Sequence, residues 1–118
     1  MFTVVLLDKE SNKLIQKVYA RDNDYLSLEE KPGAANYAKL AEVSEYDIAV
    51  FGSSDMTNLI SELEMLKTSL NEEQIFHINE VIKLAELCQQ DDKYVLGFTP
   101  FGSFLNSIEV SAAFMQNN

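Results

Sequence analysis

Apolar and polar residues fall into short alternating blocks over the first part of the chain. Phe2 to Leu7 is a run of aromatic, β-branched and aliphatic residues, and Leu14 to Tyr19 is a second apolar-rich run. Between them Asp8-Lys9-Glu10-Ser11-Asn12 is wholly polar and reads as a turn, so the two runs predict a β-hairpin. Asp22 to Pro32 is polar, with Asn23 and Asp24 near its start and the breaker Lys31-Pro32-Gly33 at its end. That pattern predicts a surface loop with a short extended piece at Leu26 to Leu28. Tyr37, Leu40 and Ala41 share one helical face, so Ala34 to Glu42 is expected to form a short helix.

The period then lengthens. Tyr46 to Phe51 ends at Gly52 and predicts a mostly buried strand, and Ser53, Ser54 and Asp55 behind it are helix-start residues. Met56, Leu59, Ile60, Leu63, Leu66 and Leu70 recur at three- and four-residue spacing, the apolar stripe of a helix ending near Leu70. Asn71 followed three residues later by Gln74 matches a capping box, and Glu72 and Glu73 suit the positive first turn of a new helix reaching about Gln90. So short a connection predicts an antiparallel helical hairpin docked on a sheet. Lys93 to Thr99 is the strand that returns beside Tyr46 to Phe51 or beside the first hairpin, and Pro100 ends it. Phe104, Leu105, Ile108, Ala112 and Met115 fit a helix while Ile108 to Phe114 also fits an extended segment, so the last stretch is a final strand or short helix packed on the body. The expected fold is α+β: an antiparallel sheet of four or five strands with an α-helical hairpin packed on one face. Without repeats, low-complexity tracts or linkers, residues 1–118 read as one domain.

Composition narrows the function more than the fold. Hydrophobic residues make up 47% and charged residues 24%, ordinary for a chain that folds by itself. Nine Lys and Arg stand against nineteen Asp and Glu, a formal charge of -10 that repels phosphate backbones and argues against nucleic acid as a direct partner. The acid is concentrated behind Gly52: up to Phe51 there are nine acids and six bases, and from Gly52 onwards ten acids and three bases. A single cysteine, Cys88, allows no internal disulfide and fits a reducing compartment. Met1 to Leu7 is cut off by Asp8-Lys9-Glu10 before it reaches signal-peptide length, and no run approaches the ~20 apolar residues of a membrane span. A cytoplasmic protein with no membrane partner is expected.

Catalytic constellations are missing. His77 is the only histidine and Cys88 the only thiol, and eleven helical residues separate them by ~16 Å along the axis at ~1.5 Å per residue. His77 is expected to be a partly buried core histidine bonded to Glu73 one turn earlier, and Cys88 a small buried hydrophobe. One His with one Cys leaves too few ligands for zinc, and the acids from Asp22 to Glu30 lack the spacing of a calcium loop. The single glycine of Phe51-Gly52-Ser53-Ser54 is followed by Asp55, which fills the positive helix end, so capping explains that turn better than anion binding. No catalytic residue, metal or cofactor is assigned.

The second helix carries the more informative pattern. Ile75, Ile78, Val81, Ile82, Leu84, Ala85 and Cys88 form one wide arc to be buried, while Phe76 and Leu87 point elsewhere, on a face shared with Glu80 and Lys83. Two apolar residues bracketing a charged stripe suit insertion into a partner's pocket, unless the C-terminal segment covers this face. Glu62, Glu64, Glu72, Glu73, Glu80, Glu86, Asp91 and Asp92 cluster on the hairpin and its exit. A one-sided field of this kind speeds encounter with a basic protein such as a nuclease, although an ordinary solvated surface has the same composition.

The opening hairpin from Phe2-Thr-Val-Val-Leu-Leu7 to Tyr19, the turn Phe51-Gly-Ser-Ser-Asp-Met-Thr57 into a helix, and the segment from Asn71 to Leu96-Gly-Phe-Thr-Pro-Phe-Gly102 together cover most of the chain. In these features it resembles the immunity proteins of bacterial polymorphic toxin systems, including those of contact-dependent growth inhibition. The resemblance implies a non-enzymatic inhibitor that binds a cognate toxin domain and blocks its active site or an adjoining exosite. These families share a role more than a motif, so no contact residue is carried over by matching. The residues expected to bind the partner are Glu62, Glu72, Glu73, Glu80, Asp91 and Asp92 as charged contacts and Phe76 and Leu87 as apolar anchors. Two other readings stand beside it: a phage-type acidic inhibitor or DNA mimic, and a small enzyme or ligand-binding domain using carboxylates with Tyr19, Tyr25 and Tyr94.

Overall fold

A computed structural model describes residues 1–19, 21–28 and 36–100. Strand β1 (Thr3–Asp8) turns back into β2 (Leu14–Val18), as the first two apolar runs require. The turn is held by the Asp8 carboxylate, whose Oδ1 accepts the Glu10 and Ser11 N–H groups at 3.0 Å each. Asn12 takes φ 58°, a left-handed conformation that Asn tolerates better than most residues. The register shifts between Leu6 and Leu7, which pair with Gln16 and Leu14, so Ile15 is the extra residue of a bulge.

Strand β3 (Ala49–Gly52) leads through a 3-10 turn into helix α1 (Met56–Leu66), helix α2 (Glu72–Gln90) and strand β4 (Tyr94–Thr99). The sheet is wholly antiparallel in the order β2-β1-β4-β3. The returning strand therefore lies beside both of its two expected neighbours. It fills the slot between the hairpin and β3 and gives the sheet four strands.

One face of the sheet carries the core. Val4 pairs with Val18 and Phe98, Leu6 with Leu96, and Ala49 and Phe51 with Phe98 and Leu96, so the register puts all of them on the same side. They pack against Met56, Leu59, Leu63 and Leu66 of α1 and Ile78, Val81, Leu84, Ala85 and Cys88 of α2. Phe51 meets Phe98 edge to face at 5.8 Å, an arrangement that suits the aromatic quadrupole. Val5 and Leu7 point to the other side and are buried with Leu14, Ile48 and Val95 around them.

Three expectations change in detail. Tyr46 to Ile48 do not join β3, and Tyr46 is 87% exposed. The ladder opens at Ala49 opposite Phe98, one residue from the end of β4, and the Asp47 side chain accepts the Ile48 N–H. In place of an extended piece at Leu26 to Leu28, Asp24–Leu26 forms a 3-10 turn that drives Leu26 into the core. Of the helix expected from Ala34 to Glu42, the described residues form a 3-10 turn at Leu40–Glu42, with Leu40 fully buried. The helix, strand or short helix expected beyond Pro100 lies outside the described residues, and so do Glu29 to Ala35.

Candidate functional site

The exposed side of α2 is built by the spacing of its residues. Its apolar arc from His77 through Ile78, Val81, Ile82, Leu84, Ala85 to Cys88 is buried, which fixes the rotation of the helix and turns Phe76 and Leu87 outward. Phe76 is 61% exposed and Leu87 38%. The capping box forms as the sequence requires: the Asn71 Oδ1 accepts the Gln74 N–H and the Gln74 Oε1 accepts the Asn71 N–H, both at 2.9 Å. α1 ends one turn short of Leu70, and the hydroxyls of Thr68 and Ser69 donate to the carbonyls of Met65 and Leu66, satisfying acceptors that the helix end leaves open.

Phe76, Asn79, Glu80, Lys83 and Glu86 of α2 and Glu64 of α1 line a shallow open groove of about 360 Å³, with Ile82 at its floor. The spacing 76, 79, 80, 83, 86 is one helical stripe, so Asn79 and Glu86 were legible as neighbours of Phe76. Glu64 joins them because α1 packs antiparallel beside α2. Leu87 continues the stripe past the groove.

The remaining expected contact residues separate into three groups. Glu72 and Glu73 lie exposed in the first turn of α2, on the positive helix end. Asp91 and Asp92 lie exposed at its exit, and Asp91 Oδ1 accepts the Lys93 N–H while Oδ2 stands 3.8 Å from the Lys93 ammonium. Glu62 is withdrawn from the surface: it is 5% exposed, and its carboxylate accepts the Lys39 N–H through both oxygens at 3.0 Å and the Leu40 N–H at 2.9 Å. Its position on the inner flank of α1 makes it a tether for residues 39 and 40 instead of a contact for a partner.

His77 also departs from expectation. It is buried as a core residue, but its Nε2 lies 2.9 Å from the Asn23 side-chain nitrogen, and no bond joins it to Glu73. Burial first, then the Arg21 charge, hold its imidazole below the usual histidine range, with Glu80 opposing. The Cys88 thiol is pushed up to about 11, first by burial and then by Asp55, and it donates weakly to the Tyr94 carbonyl at 3.6 Å. A thiol so held is protonated at neutral pH and is no nucleophile.

Near the start of α2 a second, smaller cavity of about 150 Å³ is lined by Arg21, Asp22, Tyr25, Asn71, Glu73, Gln74 and His77. Nothing in the sequence joins positions 21 to 25 with positions 71 to 77. Among the described residues no three His, Cys, Asp or Glu side chains are arranged to hold a metal ion, and no helix is long and apolar enough to cross a membrane.

The groove therefore lies on an α+β protein whose helical hairpin turns an acidic, partly apolar face outward. Comparison of the chain with protein-family models, curated proteins and solved structures gives no match.

Proposed function

We propose that this protein works by binding another protein: it is a cytoplasmic immunity protein that neutralises a cognate, basic, nuclease-like bacterial toxin domain by covering its active site or an adjacent exosite. The observation that carries the reading is the exposed Phe76 ring at the head of a groove rimmed by Glu64, Glu80 and Glu86. A large aromatic ring in water on an acidic face is an anchor with a charged rim, the arrangement that concentrates binding energy in few residues. The net charge of -10 supplies long-range attraction to a basic domain. Glu72, Glu73, Asp91 and Asp92 extend the acidic surface to the two ends of α2, and Leu87 adds a second apolar contact. A phosphate-mimicking array fits less well, because Phe76 and Lys83 interrupt the acidic stripe and Glu62 is turned inward.

Co-expression with the C-terminal domain encoded directly upstream tests this. A stable complex and rescue of growth are expected, and Phe76→Ala should weaken binding 10-fold or more. Reversing Glu72, Glu73, Glu80, Asp91 and Asp92 to lysine should slow association. Undiminished binding by both variants would remove this face from the interface.

A further inference from the structure

The sheet is apolar on both of its sides. Strand β1 reads Thr-Val-Val-Leu-Leu-Asp without alternation, the pattern of a strand covered on two faces. Val4 and Leu6 face the two helices, whereas Thr3, Val5 and Leu7 face away from them, opposite Thr99, Gly97 and Val95 of β4. An antiparallel sheet with helices on one side can leave its other side in water, and that side is then polar. Here Thr3, Val5 and Leu7 are fully buried, and Thr99 and Gly97 are buried beside them. In β3, Val50 stands opposite Gly97 on the same side and is 43% exposed. The covered strip is therefore as wide as β1 and β4 and stops short of β3. Two strands at ~4.8 Å spacing make about 10 Å, the width of one packed segment of chain.

The cover comes from this same chain, because the burial is complete within one copy of it. Among the described residues, Leu14, Ile48 and Val95 pack around Val5 and Leu7, but they lie beside them in the layer of the sheet and not above it. Both helices are on the opposite face. Glu29 to Ala35 leave the described chain at Leu28 and rejoin it before Tyr37, and Leu28 and Tyr37 both pack against the helix-side core. The eighteen residues beyond Pro100 are differently connected. They continue from Thr99, which is itself on the covered strip, and they include nine apolar residues with Glu109 as the one charged side chain. Their length is ~27 Å as a helix and ~60 Å extended, against ~20 Å for the six residues of β1. Gly97, without a side chain in the middle of the strip, lets such a segment approach the sheet closely. We propose that residues 101–118 form a third layer, packed over β1 and β4 on the side of the sheet away from the helices, with Phe104, Leu105, Ile108 and Met115 meeting Val5, Leu7 and Val95. The outer face of α2 then stays bare, so Phe76 and Leu87 are not the docking site of this segment. The inference stands without the immunity reading.

The test is NOE spectroscopy on the full chain labelled at its Ile, Leu, Val and Met methyl groups. Cross-peaks are expected from Val5, Leu7 and Val95 to Leu105, Ile108 or Met115, and none from those last three to Leu87. In a mixture of labelled and unlabelled protein, no such cross-peak should arise between copies. Gly97→Val gives a second readout: valine suits an open strand better than glycine, whereas under a packed layer it overfills the space, so the melting temperature should fall by about 5 °C or more. The proposal is overturned if Val5 and Leu7 show no contact with residues 101–118, if Leu105, Ile108 and Met115 meet Leu87 instead, if a second copy supplies the cover, or if Gly97→Val is as stable as the parent.

Discussion

The Asn23 side chain closes three hydrogen bonds in the interior, two to Phe2 and one to His77, and joins the residue before β1 to the second turn of α2. The bond to His77 depends on the imidazole being neutral, because a protonated Nε2 would point its hydrogen at the hydrogens of the Asn23 amide. Burial and Arg21 both act against protonation, and among the described residues Glu80 acts for it. The sign of the pH dependence follows. In the unfolded chain the imidazole titrates near ~6.5, whereas in the folded protein it titrates lower, so below about 6.5 the unfolded state binds more protons. The stabilisation is complete above that value and is lost as pH falls through the folded-state pKa. Urea unfolding at pH 7.5 and 5.5 should show a drop in stability at the lower pH that His77→Gln lacks. Equal slopes for parent and variant would mean that His77 does not titrate across this window.

At the scale of elements, α1 is tied to the segment before β3 by a single carboxylate. Glu62 sits one turn from Leu59 and Leu66 on the buried side of its helix and accepts the main-chain N–H groups of Lys39 and Leu40, where a 3-10 turn leaves its first donors open. The neighbouring Lys39–Asp55 ion pair at 2.9 Å strengthens the same junction and holds the Asp55 carboxyl below the usual range. Glu62→Gln keeps the shape but replaces a charge-assisted acceptor and presents an amide hydrogen to a main-chain donor. The expected loss is about 1.5–3 kcal/mol in urea unfolding, with faster hydrogen exchange at the amides of Lys39 and Leu40. Unchanged exchange at these two positions would show that the tether is dispensable. Under the proposed immunity function, binding of a toxin domain should be little affected by this variant once the protein is folded, in contrast to Phe76→Ala.

Across the whole molecule the charge of -10 acts on stability as well as on encounter. Ten surplus negative charges repel one another in the folded state more than in the expanded chain, and salt screens that repulsion over about 8–10 Å. Raising sodium chloride from about 10 to 150 mM should therefore raise the melting temperature. A fall would mean that the ion pairs Lys39–Asp55, Lys67–Glu64 and Lys93–Asp91 outweigh the net repulsion. The same screening should slow association with a basic partner, and the two effects have opposite sign for the function.

Periodicity by itself determined the two helices, the first hairpin and the returning strand, because each buries one side and the spacing of its apolar residues records which. The capping box of Asn71 and Gln74 was legible for the same reason: its partners are three residues apart. Phe76 and Leu87 could be placed outside the core from the helical wheel alone. Only the tertiary structure decided that β4 lies between β1 and β3, since either neighbour would bury the same residues. It also decided the fate of the polar side chains. A glutamate on a helix reads as solvated, and Glu62 is buried because two main-chain donors from residues 39 and 40 come to it across the fold. Asn23 and His77 stand 54 positions apart and the cavity beside them draws on both stretches, so no local pattern could record their meeting. Apolar burial is written along the chain as a period, whereas a hydrogen bond between distant segments depends on directions that exist only once the core has set them.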